Sequence, residues 1–130
     1  MNKIQLLDKY PVFVEELAKE DTSCASAAEI IGRLRECVEA IPEATLIGEF
    51  DHQGHVLRQA EGRIADGILG SRHLLFCLSN AIPNPLIAAV RPRAISVVEL
   101  ADRFVISFLE APVEAPNQLM AAWIEALRAH

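Results

Sequence analysis

Residues 26–42 constrain the fold more than any other stretch. Ser26-Ala27-Ala28-Glu29 is a capping box: the serine oxygen takes a free backbone N–H of the first turn and the glutamate reaches back. Behind it Ile30, Ile31, Leu34, Val38 and Ile41 recur at helical spacing, with Arg33, Arg35, Glu36 and Glu39 on the other faces. Pro42 stops the helix. Segments with strand character lie on both sides of it, which points to helices packed on a sheet.

Tyr10 to Leu17 opens at Tyr-Pro and alternates loosely, as an edge or first strand does, with a short helix through Glu15–Lys19 as the competing reading. Thr45 to Asp51 places Leu46, Gly48 and Phe50 on one face of a strand. His73 to Leu78 is a continuous apolar run of strand length, the pattern of a strand buried on both faces. Ala81-Ile82-Pro83-Asn84-Pro85 forces a turn. Ile95–Leu100 and Phe104–Leu109, three residues apart, read as an antiparallel hairpin. Leu119, Met120, Trp123, Ile124 and Leu127 mark the apolar face of a closing helix. Trp123 belongs to the core or, alternatively, to a dimer seam. Gln53 to Ser71, with several glycines, is left open between lid, helix and loop.

The expected fold is therefore α+β: a two-layer sandwich with a mostly antiparallel sheet of about five strands. One long helix follows the first strand, a second closes the chain, and residues 1–130 form one domain. The strands flanking the first helix are candidates for a parallel pair with a right-handed crossover.

Composition narrows the function classes. Eighteen acids against twelve bases leave a charge of −6. So acidic a body lacks the basic footprint that nucleic acid or an anionic membrane requires. The N-terminal apolar runs are broken by Asp8 and Lys9, giving no signal-peptide core. Cys24, Cys37 and Cys77 form no short C-x-x-C pair, and an odd count fits a reducing cytoplasm better than a disulfide framework. Cys24 is the cysteine expected to be exposed, and Cys77 the one expected to be buried. An apolar fraction of 52% in so small a chain favours a homodimer.

Taken in order, the strand, the helix opened by Ser26-x-x-Glu29, the Phe50-Asp51-His52 step, the apolar strand running to Asn84-Pro85, the Arg91-Pro92 step and the strand pair ending at Ala111-Pro112 resemble a known group. It is the family of small prokaryotic proteins called domain of unknown function 302. The likeness covers roughly Tyr10 to Pro112. It implies an α+β, mostly antiparallel and dimeric protein, and it supplies no activity.

Two clusters carry candidate chemistry. In Asp51-His52-x-x-His55, two histidines three apart are candidate metal ligands if the chain turns helical there. Asp51 or Glu49 would add an oxygen, and His73 and Cys77 are further candidates from the next strand. The bland alternative is that Asp51 caps a helix and His52 hydrogen-bonds at a strand end. In Arg91-Pro92-Arg93 the proline fixes the backbone between two guanidiniums, whose forks suit a small anion. Arg72 and Arg103 are candidates to join them, and pairing with Glu49, Glu99 or Asp102 is the structural alternative. The expectation is a small-ligand binding module, for an anion or a metal, with no cofactor identified. Its site combines Asp51, His52, His55, Arg91 and Arg93 where the end of the Thr45–Asp51 strand meets the Pro83–Arg93 loops. Its rivals are an enzyme using His52 or His55 as general acid or base, and a purely structural dimer.

Overall fold

A computed structural model describes residues 1–129. The strands are β1 (Asn2–Leu6), β2 (Tyr10–Ala18), β3 (Thr45–Asp51), β4 (Gly70–Cys77), β5 (Arg93–Glu99) and β6 (Arg103–Leu109). The α-helices are α1 (Ala27–Glu39) after β2, α2 (His52–Leu57) after β3, and α3 (Glu114–Glu125) after β6. The strands form one open sheet in the order β1-β2-β6-β5-β4-β3. Every neighbouring pair is antiparallel.

The fold is α+β, as the sequence implies, but three details differ. The sheet has six strands among the described residues rather than five, because Asn2–Leu6 pairs with β2. The long helix consequently follows the second strand. The flanking strands β2 and β3 do run the same way, since four antiparallel steps separate them, yet they never pair: β6, β5 and β4 lie between. The chain crosses the whole sheet through α1. The competing helix over Glu15–Lys19 does not form; β2 runs to Ala18 and a short 3-10 turn follows at Lys19–Asp21.

The first helix forms where its capping box places it. Ser26 Oγ accepts from Glu29 N at 3.1 Å, and Glu29 Oε2 accepts from Ala25 N at 2.6 Å. A second carboxylate serves the same end: Glu99 Oε1, at the end of β5, accepts from Ala27 N at 3.1 Å while its Oε2 holds Lys19 Nζ at 2.8 Å. The first contact satisfies an N–H that the helix start leaves free, and the second balances the carboxylate's charge.

The core lies between one face of the sheet and α1 with α3. Ile30, Ile31, Leu34 and Val38 from α1 meet Met120, Trp123 and Ile124 from α3 over Leu74, Phe76, Ile95, Val97, Phe104 and Ile106. Trp123 is thus a core residue, its ring edge-on to Phe76 with centroids 5.6 Å apart, and not a dimer seam. Cys24 is buried against this core, with Arg33 Nη1 3.8 Å from its sulfur, whereas Cys77 is half-buried on the opposite sheet face. Both cysteine expectations are therefore reversed, because loop position and strand membership do not decide which face is covered. Burial pushes the Cys37 thiol above its ordinary pKa, which leaves it a poor nucleophile. Among the described residues no helix is long and apolar enough to cross a membrane.

Candidate functional site

The two sequence clusters occupy different parts of the sheet. Asp51 ends β3 and is the N-cap of α2, its Oδ1 accepting from Gly54 N at 2.9 Å. A Cβ at Gly54 would press on the Asp51 carboxylate, so a larger residue there would displace the cap. Asp51 is thereby committed to a structural contact, which is the bland alternative for that residue. The α2 turn brings His52 back over β4, where its Nδ1 lies 3.4 Å from His73 Nε2 and 3.4 Å from Ser71 Oγ. Phe50 is the platform for the group: its ring lies 5.6 Å from His52, 5.6 Å from His55 and 5.9 Å from His73.

His73 is thus drawn into the cluster, while Cys77, four residues further along β4, stands about 13 Å away along the strand. Desolvation, with the neighbouring His52 adding to it, holds the His73 pKa below its ordinary value, so its imidazole is neutral at pH 7. Among the described residues no three His, Cys, Asp or Glu side chains are placed to hold one metal ion. The histidines form an aromatic, half-exposed patch around one close imidazole pair.

Arg91 and Arg93 lie elsewhere, and strand register shows why. Arg93 is paired with Phe76, a core residue, so its side chain is on the helix-covered face. His73 is three residues from Phe76 and hence on the other face. The end of β4 leads into the 79–92 loop, and the antiparallel β3 begins beside it, with Thr45 opposite Cys77. The Pro83–Arg93 loop therefore meets the start of the Thr45–Asp51 strand and not its end. A single site combining Asp51, His52 and His55 with Arg91 and Arg93 is ruled out by this geometry. Nor do the other arginines gather there: Arg103 pairs with Glu16 and Asp102, and Arg72 sits opposite Asp51.

What surrounds Arg91 and Arg93 is a cleft of about 460 Å³. Its walls are Ile41, Leu78, Ile87, Val90, Pro112 and Leu119, with Ser79, Asn80 and Glu43 at the polar margin. Arg93 donates to the carbonyls of Val90 and Leu109, and Arg91 donates to that of Ala81. Among the described residues neither arginine has a carboxylate within ion-pair distance: Glu49 is held by Arg35 and Glu99 by Lys19. Arg93 is half-buried, its Nε has no hydrogen-bond partner, and desolvation lowers its pKa from the ordinary arginine value. Carbonyl dipoles satisfy some of its N–H groups but leave the charge unneutralised in a low-dielectric wall.

Sequence reasoning missed most of the cleft walls. Ile41 and Glu43 follow α1, and Ala111 to Leu119 bridge β6 and α3. The second wall is fixed by Asn117, which is buried: its Oδ1 accepts from Ala111 N at 2.8 Å, and its Nδ2 donates to Ala111 O at 3.1 Å and Val113 O at 3.4 Å. An asparagine inside an otherwise apolar helical stripe was the signal available for this contact.

No curated protein matches the chain. The likeness to domain of unknown function 302 is overturned by the family model that does match. The short steps behind that likeness (a capping box, Asn-Pro, Arg-Pro) are cap and turn chemistry that unrelated folds share. The matching model covers residues 1–129 and is described as a family of unknown function (DUF6858), and the chain belongs to that family.

Proposed function

We propose that the chain binds a small organic anion, its charged head at Arg91 and Arg93 and its apolar part along the cleft. The observation that carries this reading is Arg93. It is a half-buried guanidinium with no carboxylate partner among the described residues, opening on a cleft whose walls are apolar. A fixed charge in such a wall stabilises an incoming anion more than a solvated one would, because no water shell has to be rearranged around it. The cleft volume is in the range of small-molecule sites, and apolar walls with a few oriented polar groups are what such sites use.

The test is an NMR titration with octanoate, its neutral counterpart octanol, and inorganic phosphate. Octanoate should move the amides of the non-proline residues among 78–80, 90–93 and 111–119, and it should bind at least about tenfold tighter than octanol, the worth of one charge-assisted hydrogen bond. Arg93→Gln should remove that preference. Equal binding of octanoate and octanol, or no shifts at millimolar octanoate, would overturn the assignment. The octanol comparison uses the native chain, so it decides the matter even if the variant is destabilised.

A further inference from the structure

The sheet face opposite α1 and α3 is uncovered except at the β3–β4 end, where α2 sets His52 against Ser71 and His73, and its composition is not that of a solvated face. Register places its residues in rows. Ile4 lies beside Val12 and Val12 beside Leu109; further along, Ala94 lies beside Leu75 and Leu75 beside Gly48. The next row holds Val14, Ser107, Ser96, His73 and Phe50. A third holds Val105 and Val98. Ile4 and Leu109 are 45% and 51% exposed, and beyond the row ends Ile47 and Ile82 are 55% and 78% exposed. Ile47, Cys77, Ala81 and Ile82 line a hollow that continues the face under the 79–92 loop.

Charge sets this face apart from the rest of the molecule. The chain carries −6, yet the strand residues on the face include only one acid and one base, Glu16 and Arg103, paired with each other at 3.4 Å. No lysine of these strands faces this way, so an anionic lipid surface has nothing to hold. A second copy of the same face, by contrast, meets these strands without burying an unpaired strand charge; Arg91, which also lines the hollow, lies at its margin and donates to the Ala81 carbonyl.

Area agrees with that occupant. Six strands at a spacing of about 4.8 Å, each about seven residues long, give a projected face of roughly 650 Å². The accessible area of a corrugated surface is larger, so full overlap approaches the approximately 800 Å² per partner of a stable interface. At its centre the neighbouring strands β5 and β6 pair two small residues, Ser96 with Ser107, between ridges formed by Leu75 and His73 on one side and by Val12 and Val14 on the other. We infer that the chain forms an isologous homodimer through this face, with the two-fold axis near the Ser96–Ser107 pair.

Sedimentation velocity across a concentration series tests this. The native chain should sediment as a dimer at micromolar concentration. Ser107→Asp should shift it to monomer, because the axis sets two carboxylates against each other, while circular dichroism stays unchanged. Leu109→Lys, at a residue half-exposed in one copy, should weaken association at least tenfold and serves if Ser107→Asp does not fold. A native monomer at 100 μM would overturn the inference. So would a dimer indifferent to both substitutions, which would place the contact at a sheet edge instead.

Discussion

Asn117 offers the sharpest test of how the cleft wall is built. Asn117→Ala removes three hydrogen bonds and leaves the Ala111 N–H buried beside a methyl group. Net losses of about 1 kcal/mol for each of the two shorter bonds, plus the cost of an unsatisfied donor, come to roughly 3 kcal/mol. For 130 residues the unfolding entropy is about 0.27 kcal/mol/K, so the melting temperature should fall by roughly 11 °C. Asn117→Asp is more discriminating. Its carboxylate still accepts from Ala111 N, but it faces the carbonyl oxygens of Ala111 and Val113, to which Asn117 donates. Burial and these oxygens raise the folded-state pKa of the new acid above its unfolded value of about 3.9. The sign follows from linkage: the folded state then holds the proton more tightly, so stability is greatest below pH 4 and is lost as pH rises through the folded pKa. Urea unfolding of Asn117→Asp and native chain at pH 4 and pH 7 measures this. A stability deficit that shrinks as pH rises, or a melting shift under 4 °C for Asn117→Ala, would refute the account.

Two further outcomes are expected. Leu7 and Asp8 both take positive φ, 54° and 58°, at the centre of the Leu6–Lys9 turn, so Asp8→Gly should stabilise by about 1 kcal/mol, read as a higher urea midpoint at an unchanged slope; a lower midpoint would show the aspartate makes a compensating contact. His73, whose pKa is held below the ordinary value, contributes stability that is present above about pH 6.5 and is lost as pH falls below it toward the lowered pKa; in His73→Gln that part of the pH–stability slope should vanish, and an unaltered slope would mean the imidazole is not desolvated.

The elements legible in the sequence are those whose local signals and tertiary environment agree. Thr45–Asp51 is a strand over the residues that its alternation marks, and the Ser26 box starts α1 where a cap is needed. The first strand was not legible because its five residues are all exposed and its turn is made by Leu7-Asp8 instead of an Asn-Gly step. Arg91 and Arg93 were visible as a pair of cations fixed by a proline. Their company was not, because which segments stand beside the end of β4 depends on strand order, and strand order is not a local property. The same cause misplaced the histidines: alternation says that His73 and Cys77 share a face, but only the register of β3 against β4 tells which of them His52 meets.

Chain connectivity explains why one sheet face is left bare. The two connections that carry helices of three turns or more are the crossover from β2 to β3 and the segment after β6, and both helices pack on the same side. The other links stay near the sheet ends: the Leu7–Lys9 turn, the 52–69 segment, the 78–92 loop and the 100–102 turn. None of them spans the second face. Yet β4 is apolar at Leu75 and Cys77 as well as at Leu74 and Phe76, the composition of a strand covered on both sides. The sequence thus specifies a cover that its own helices do not provide. In the proposed dimer a copy of the same face supplies that cover, and the Arg93 cleft, on the helix side, stays open to the proposed anion in either state.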